Sequence, residues 1–262
     1  MGELPERLKG TAGIVAVEDL FRVELGVRAG KTGSALQISI SDFQRLPAKE
    51  RRRFRPVAET RSIRPGRISP ISWIFYPSTS VTAGEIQRIA PVFYEKHLNP
   101  LGLSADAKVD LDRPRRDTNF ALRPRLVSRA YISTESFAVD ETGEHVVVQG
   151  YSWLPIAEFL DTPFDLTQML NDYAFLLNSR LFFALLRENG RIVGGGQVDG
   201  AKNQVRQVPL PDLAFMYLET PELEAQAAGL RALDKVERPK PHLLDAFAAA
   251  AYRTDIKNWS IS

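Results

Sequence analysis

From Thr167 to Gly190 the chain carries an apolar stripe. Met169, Tyr173, Leu176, Leu177, Leu181 and Leu185 recur at helical spacing between Gln168 and about residue 187. A helix with one apolar face is stable only when that face is covered, so the stripe reads as core packing rather than a ligand site, and the rest of the chain must supply the cover. Thr167 stands at its start as a cap, and Asn189-Gly190 at its end as a helix stop. A glycine triplet, Gly194 to Gly196, and an extended run, Val208-Pro-Leu-Pro-Asp212, follow.

The cover is read from short segments of alternating pattern. Val15 to Val27 is strand-like, as are Leu36 to Ile40 and Trp73 to Tyr76. Leu126 to Trp153 is expected to hold three short strands as a meander, with turns near Ser133-Thr134 and at Glu141-Thr-Gly143. Ser41-Asp42 is expected to cap a short basic helix that Pro47 breaks and Pro56 stops. Ala83 to His97 reads as a helix with Ile86, Ile89, Ala90 and Phe93 on one face. Two further helices are expected, Pro221 to about Val236 and Leu243 to Arg253. The sum is an α+β protein: a mixed or antiparallel sheet domain with packed helices over residues 1–212, and a C-terminal helical extension over 213–262. These last two helices, Ala-rich from Ala246 to Ala251 with Leu243, Leu244 and Phe247, either pack on the chain's own core or dock a partner.

Composition narrows the class. In 262 residues, 44% hydrophobic and 25% charged, there is enough apolar material for a substantial core. The absence of cysteine excludes a disulfide scaffold and any cysteine-ligated zinc, and fits a reducing compartment. No run approaches the ~18 apolar residues of a membrane span, and Met1-Gly-Glu-Leu-Pro lacks a signal-peptide pattern. The expected address is the bacterial cytoplasm, without a membrane partner.

A net charge of +2 hides a segregated distribution. Arg45, Lys49, Arg51, Arg52, Arg53, Arg55, Arg61, Arg64 and Arg67 face only Glu50 and Glu59, and Arg113, Arg115, Arg116, Arg123, Arg125 and Arg129 face only Asp117. From Glu135 to Asp172 the chain has eight acids and no lysine or arginine. Guanidinium groups grip phosphate oxygens and the O6/N7 edge of guanine bidentately, so the clusters read either as a nucleic-acid surface or as partners for the acidic segment.

Four blocks, in order, carry a resemblance: Phe21-Arg-Val-Glu-Leu-Gly-Val-Arg-Ala-Gly-Lys-Thr-Gly33; Arg51 to Pro77 with the apolar Trp73-Ile-Phe-Tyr; Pro124 to Pro155, with Phe137-Ala-Val-Asp and His145-Val-Val-Val-Gln-Gly-Tyr-Ser-Trp; and Tyr173 to Asp212 with its glycine triplet. This order resembles the TaqI-like C-terminal specificity domain, the DNA target-recognition domain of adenine-specific DNA methyltransferases. Residues 78–123 and the last fifty lie outside it. The resemblance implies a DNA-specificity subunit of a methyltransferase or restriction-modification system. Arg61, Arg64, Arg113, Arg115, Arg116 and Arg129 would hold the backbone. The turn with Arg28, Lys31 and Thr32 and the loop with Gly195, Gln197, Lys202 and Gln204 would approach the bases, since amides read adenine in the major groove.

The catalytic half is missing. The chain has no Pro-Pro dipeptide of the kind that clamps a flipped adenine, and Asn99-Pro-Leu-Gly102 reads as a turn. No cofactor is therefore expected in this chain, and S-adenosylmethionine is expected in a separate catalytic methyltransferase subunit. Gly26-Val-Arg-Ala-Gly-Lys-Thr32 has three residues where a phosphate-binding loop needs four, and no helix pattern follows. Two rival classes stay open: a metal-dependent nuclease built on Asp106-Ala-Lys108 with Glu95, and a protein-interaction module that keeps the fold without binding DNA.

Overall fold

The computed structural model describes Leu8 and residues 10–27, 33–76, 81–109, 122–156 and 162–254. The fold is α+β, built around two four-stranded sheets. The first, fully antiparallel, has the order β12 (Phe137–Asp140), β10 (Arg125–Arg129), β14 (Gly150–Pro155), β2 (Phe21–Leu25). The second has the order β13 (Val146–Val147), β4 (Phe54–Ala58), β7 (Ser72–Phe75), β3 (Gln37–Ser39), with β13 parallel to β4 and the others antiparallel. Four two-stranded ladders complete the set: β1 (Ile14–Ala16) with β16 (Pro209–Pro211), β5 (Ile63–Arg64) with β6 (Arg67–Ile68), β8 (Val81–Thr82) with β9 (Lys108–Val109), and β11 (Tyr131–Ile132) with β15 (Val198–Asp199).

Helices cover one sheet each. Beside the second sheet lie α1 (Ile40–Arg45), α2 (Ala48–Arg51) and α3 (Ala83–Ile89). Around the first lie α4 (Leu166–Leu177), α5 (Arg180–Asn189), α6 (Leu213–Glu219), α7 (Pro221–Asp234) and α8 (Pro241–Ala251). Two cores result. The larger joins Phe21, Trp153, Met169, Tyr173, Leu181 and Phe247; the smaller joins Ile38, Phe54, Phe75, Ile86 and Phe93. A small seam of Ala58, Ile63, Val127, Ala138 and Val147 lies between them.

The apolar stripe is buried as its spacing requires, but it belongs to two helices rather than one. Asp165, not Thr167, caps the first, its carboxylate accepting from Gln168 N at 2.9 Å. The break falls at Asn178-Ser179. The Asn178 amide accepts from Phe137 N at 3.1 Å and donates to Phe137 O at 2.9 Å, leaving the helix to hold strand β12. Ser179 then caps α5 by accepting from Phe182 N at 3.2 Å. Gly190 follows the last helical residue, Asn189, as expected.

Other expectations shift for local reasons. The 15–27 segment is interrupted by a helical turn, Val17–Leu20, whose Asp19 accepts from Ala16 N at 2.8 Å. Ser39 caps α1 two residues ahead of the expected site, and Pro56 lies inside β4. The expected 83–97 helix breaks at Ala90-Pro91. The 126–153 region is not a meander: β10 lies between β12 and β14, and β13 crosses into the second sheet on the way. The chain after residue 212 does not stand apart, since Leu213, Leu244, Phe247, Ala248, Ala251 and Tyr252 share the larger core. Tyr252 Oη donates to Pro209 O at 2.8 Å. Leu244 and Phe247 of the last helix are thus covered by the chain's own core, while Leu218, Leu233 and Val236 of the same extension stay exposed. Among the described residues no helix is long and apolar enough to cross a membrane.

Candidate nucleic-acid interface

Strand β10 ends at Arg129, and the surrounding turns gather basic side chains from distant parts of the sequence. The β5–β6 hairpin lies against β12: Gly66 N donates to Phe137 O at 3.0 Å, and Gly66 takes a φ of 77°, the left-handed conformation glycine tolerates. This docking sets Arg64 beside Arg129. Arg129 Nη2 donates to Ile63 O at 2.9 Å, while its buried Nε has no partner among the described residues. Burial first, and then the charge of Arg64, lower the Arg129 pKa from the usual guanidinium value. Two like charges are held together here at an electrostatic cost, which an anion would relieve.

Two arginines adjoin the pair. Arg67 follows on β6, and Arg238, from the link between α7 and α8, pairs with Glu135. Asp234 lies in the field of both; burial raises its pKa, against the opposing pull of Arg67 and Arg238. Arg61 is exposed in the turn ahead of β5, which Ser62 closes by accepting from Glu59 N at 2.8 Å.

The glycine triplet is the tip of a hairpin rooted beside this cluster. Val193 N donates to Gln197 O at 2.8 Å and Asp199 N to Arg191 O at 3.0 Å, and Gly200 N donates to Ala130 O, next to Arg129, at 2.9 Å. Gly195 and Gly196 have φ of 75° and 74°. A Cβ placed on Gly194, Gly195 or Gly196 would meet nothing within 4 Å, so the tip is bare backbone in open space. Tyr131 and Ile192 stand at its base, each about half exposed.

The structure therefore places Arg64 beside Arg129, sets Arg61 in the turn that leads to β5, and roots the hairpin that carries Gly195 and Gln197 at Ala130. Gln204 is spent in part: its Oε1 accepts from Arg191 N at 2.9 Å and closes the hairpin. Lys202 opens the short helix Lys202–Val205. Arg28, Lys31, Thr32, Arg113, Arg115 and Arg116 lie outside the described residues. Arg67, Arg238 and Tyr131 were missed as site residues. Arg67 belongs to a basic cluster visible in the sequence, whereas no local pattern connects Arg238 to a strand more than a hundred residues earlier.

One arginine of the second cluster is removed from any surface role. Arg125 is fully buried; its Nε and Nη2 donate to Asp140 Oδ2 at 3.2 and 3.1 Å, and Nη2 also to His145 O at 2.6 Å. Asp140 in turn accepts from Gly143 N at 3.1 Å and contacts His145 Nδ1 at 2.8 Å. The acidic segment thus pairs with one arginine of the two basic clusters, Arg125, through Asp140, while Glu135 and Asp172 pair with Arg238 and Arg231 outside them.

As for the nuclease constellation, Glu95 accepts from Asn99 Nδ2 at 2.9 Å, and Asp106 is exposed in the turn before β9. Among the described residues no three histidine, aspartate or glutamate side chains gather as a metal site. No protein-family model matches the chain, and comparison with curated proteins gives no match.

Proposed function

We propose that this protein is the sequence-specific DNA-binding subunit of a bacterial adenine methyltransferase or restriction-modification system, working with a separate catalytic subunit that carries S-adenosylmethionine. The observation that carries the reading is the juxtaposition of Arg64 and Arg129, which donate to the same carbonyl, Ile63 O, together with a hairpin rooted at Ala130 whose glycine tip stands in open space. Phosphate contacts position a protein on a duplex, and groups that reach base edges give it sequence preference. An arginine cluster next to a bare loop supplies both kinds of contact.

The test is a salt titration of binding to duplex DNA followed by fluorescence anisotropy. If about five phosphates are neutralised, log K falls with log salt at a slope near −4 to −5. A slope close to zero favours the protein-interaction alternative. Cleavage of the duplex by the isolated chain with Mg²⁺ favours the nuclease.

A further inference from the structure

The smaller lobe holds a cleft of about 410 Å³ that the sequence did not announce, lined by Ser34, Gln37, Glu59, Ile71, Ser72 and Gln149 among others. Three of its polar side chains are locked to one another. Gln37 Nε2 donates to Glu59 Oε2 at 3.3 Å and to Ser72 Oγ at 2.8 Å, and Ser72 Oγ donates to Glu59 Oε1 at 3.0 Å. An amide nitrogen has two hydrogens and a hydroxyl one, so all the donors of this triad are used. What it offers a ligand is acceptors alone: Gln37 Oε1 and the remaining lone pairs of the Glu59 carboxylate.

Gln149 is of a different kind. It is exposed and holds a φ of 53°, a region that side chains other than glycine and asparagine rarely adopt. It lies at a corner: β13 ends at Val147 in the second sheet and β14 begins at Gly150 in the first, and Val148, which bridges Val27, and Gln149 make the step between them. The corner sets Gln149 on the wall of the cleft, where no group among the described residues holds its amide. It offers an NH₂ donor group and a carbonyl acceptor side by side. Two described residues on either side of the 28–32 segment in sequence lie at the cleft: Val27 bridges to Val148, and Ser34 lines the wall.

We propose that this cleft reads one adenine of the recognition sequence, with the N6 hydrogen not used in base pairing donated to the Glu59 carboxylate and Gln149 Nε2 donating to N7. The proposal rests on the DNA-binding reading above. The chemistry selects among ligands. A phosphate is repelled by the carboxylate and finds no arginine or lysine among the lining residues. Guanine O6 and thymine O4 are acceptors and meet only acceptors in the triad. Cytosine presents an amine but no N7 beside it, so it gains one bond where adenine gains two.

The experiment is selection from a pool of random-sequence duplexes by the full chain, with sequencing of the bound fraction, for the wild type, Gln149→Gly and Glu59→Gln. Gln149→Gly relieves the positive φ, so it leaves the thermal midpoint unchanged or raised, and a loss of preference cannot be attributed to unfolding. The expected result is a wild-type motif in which one A·T position loses about tenfold discrimination in both variants, while the other positions and the salt slope are kept. If the wild type binds with a steep salt slope and both variants retain every position of the motif, the cleft does not read a base and the DNA-binding reading stands. If the lost position is not A·T, the adenine assignment is overturned. If the wild type shows no salt-dependent binding, both readings fail together.

Discussion

Arg125 and Arg129 sit four residues apart on one strand, β10, and on the same face by strand periodicity. Their circumstances are opposite. Arg125 faces Asp140, and its charge is matched by a carboxylate and backbone carbonyls with no exposure to solvent. Arg129 faces the back of the β5–β6 hairpin and shares its surroundings with another arginine. Nothing in the local sequence separates the two, since both stand in a basic run. The hairpin connection does: β12 returns Asp140 opposite Arg125 and Phe137 opposite Ser128, so one arginine is ion-paired with a buried acid, while the other feels Glu135 only through its charge, that carboxylate being paired with Arg238. Charge clusters in a sequence therefore mix two populations, and the strand register sorts them.

The sharpest way to break this comparison is to remove one partner at each end. Asp140→Ala leaves the Arg125 charge buried without its carboxylate, and a broken buried pair costs about 3–5 kcal/mol. Urea denaturation should show a loss in that range. Arg64→Ala, at an exposed side chain, should stay within about 0.5 kcal/mol. If the two losses are equal, the division of the arginines into internal and surface groups is wrong.

A second buried acid gives the comparison a pH axis. Asp172 is fully buried, its Oδ2 accepting from Tyr217 Oη at 2.9 Å and pairing with Arg231, while Oδ1 has no partner among the described residues. Burial outweighs these partners and pushes its carboxyl from 3.8 up to about 6. A folded state with the raised value holds the proton more tightly than the unfolded chain. The stabilisation from Asp172 is therefore complete below the unfolded value of 3.8 and is lost as pH rises to about 6. Relative to Asp172→Asn, which does not titrate, the wild type should lose up to about 3 kcal/mol across that window and nothing further above about pH 7. A difference curve that rises with pH would show that Arg231 keeps the carboxylate ionised throughout.

The same contrast explains how much was legible in the sequence. The α+β class and the burial of the Met169 to Leu185 stripe follow from periodicity, because a stripe has to be covered whatever covers it. The division of that stripe was hidden because Asn178 leaves the helix for a bond to Phe137, forty-one positions away. The strand order was hidden for a similar reason: β13 pairs with β4 in the other sheet, and short local patterns carry no information about a partner so distant. In the candidate site, arginine and glycine composition named Arg61, Arg64, Arg129 and the Gly195 loop. Arg238 and Gln149 were invisible, the first placed by helix packing and the second by the corner at which the chain passes from one sheet to the other.

On the surface side, the arginines are sorted further by what they release from DNA. Arg64→Ala and Arg129→Ala should each lower the steepness of the salt dependence by about one, and weaken binding to cognate and random duplexes alike. Arg129→Ala also strips Ile63 O of its 2.9 Å donor, so its thermal midpoint should be recorded alongside. Arg125→Lys, if it folds, should leave the salt slope untouched, since that side chain never reaches solvent. A changed slope there would place Arg125 among the surface arginines after all.

The smallest expected effect on stability is the most informative about the glycine tip. Gly195→Ala forces a φ of 75° on a residue with a Cβ, at a cost of about 1 kcal/mol. Any loss of binding in that variant is therefore confounded with strain. Gly194 is free of this problem: it lacks the positive φ, and a Cβ on it would meet nothing within 4 Å. Gly194→Ala should change the thermal midpoint by almost nothing. If the tip brings bare backbone against a duplex, the added methyl occupies space that the DNA needs, and affinity should fall several-fold with the salt slope unchanged, because no phosphate contact by an arginine has been lost. If affinity and slope are both unchanged, the triplet is only a hairpin turn, and the surface reduces to its arginines, a grip without a reading element at that end of β10.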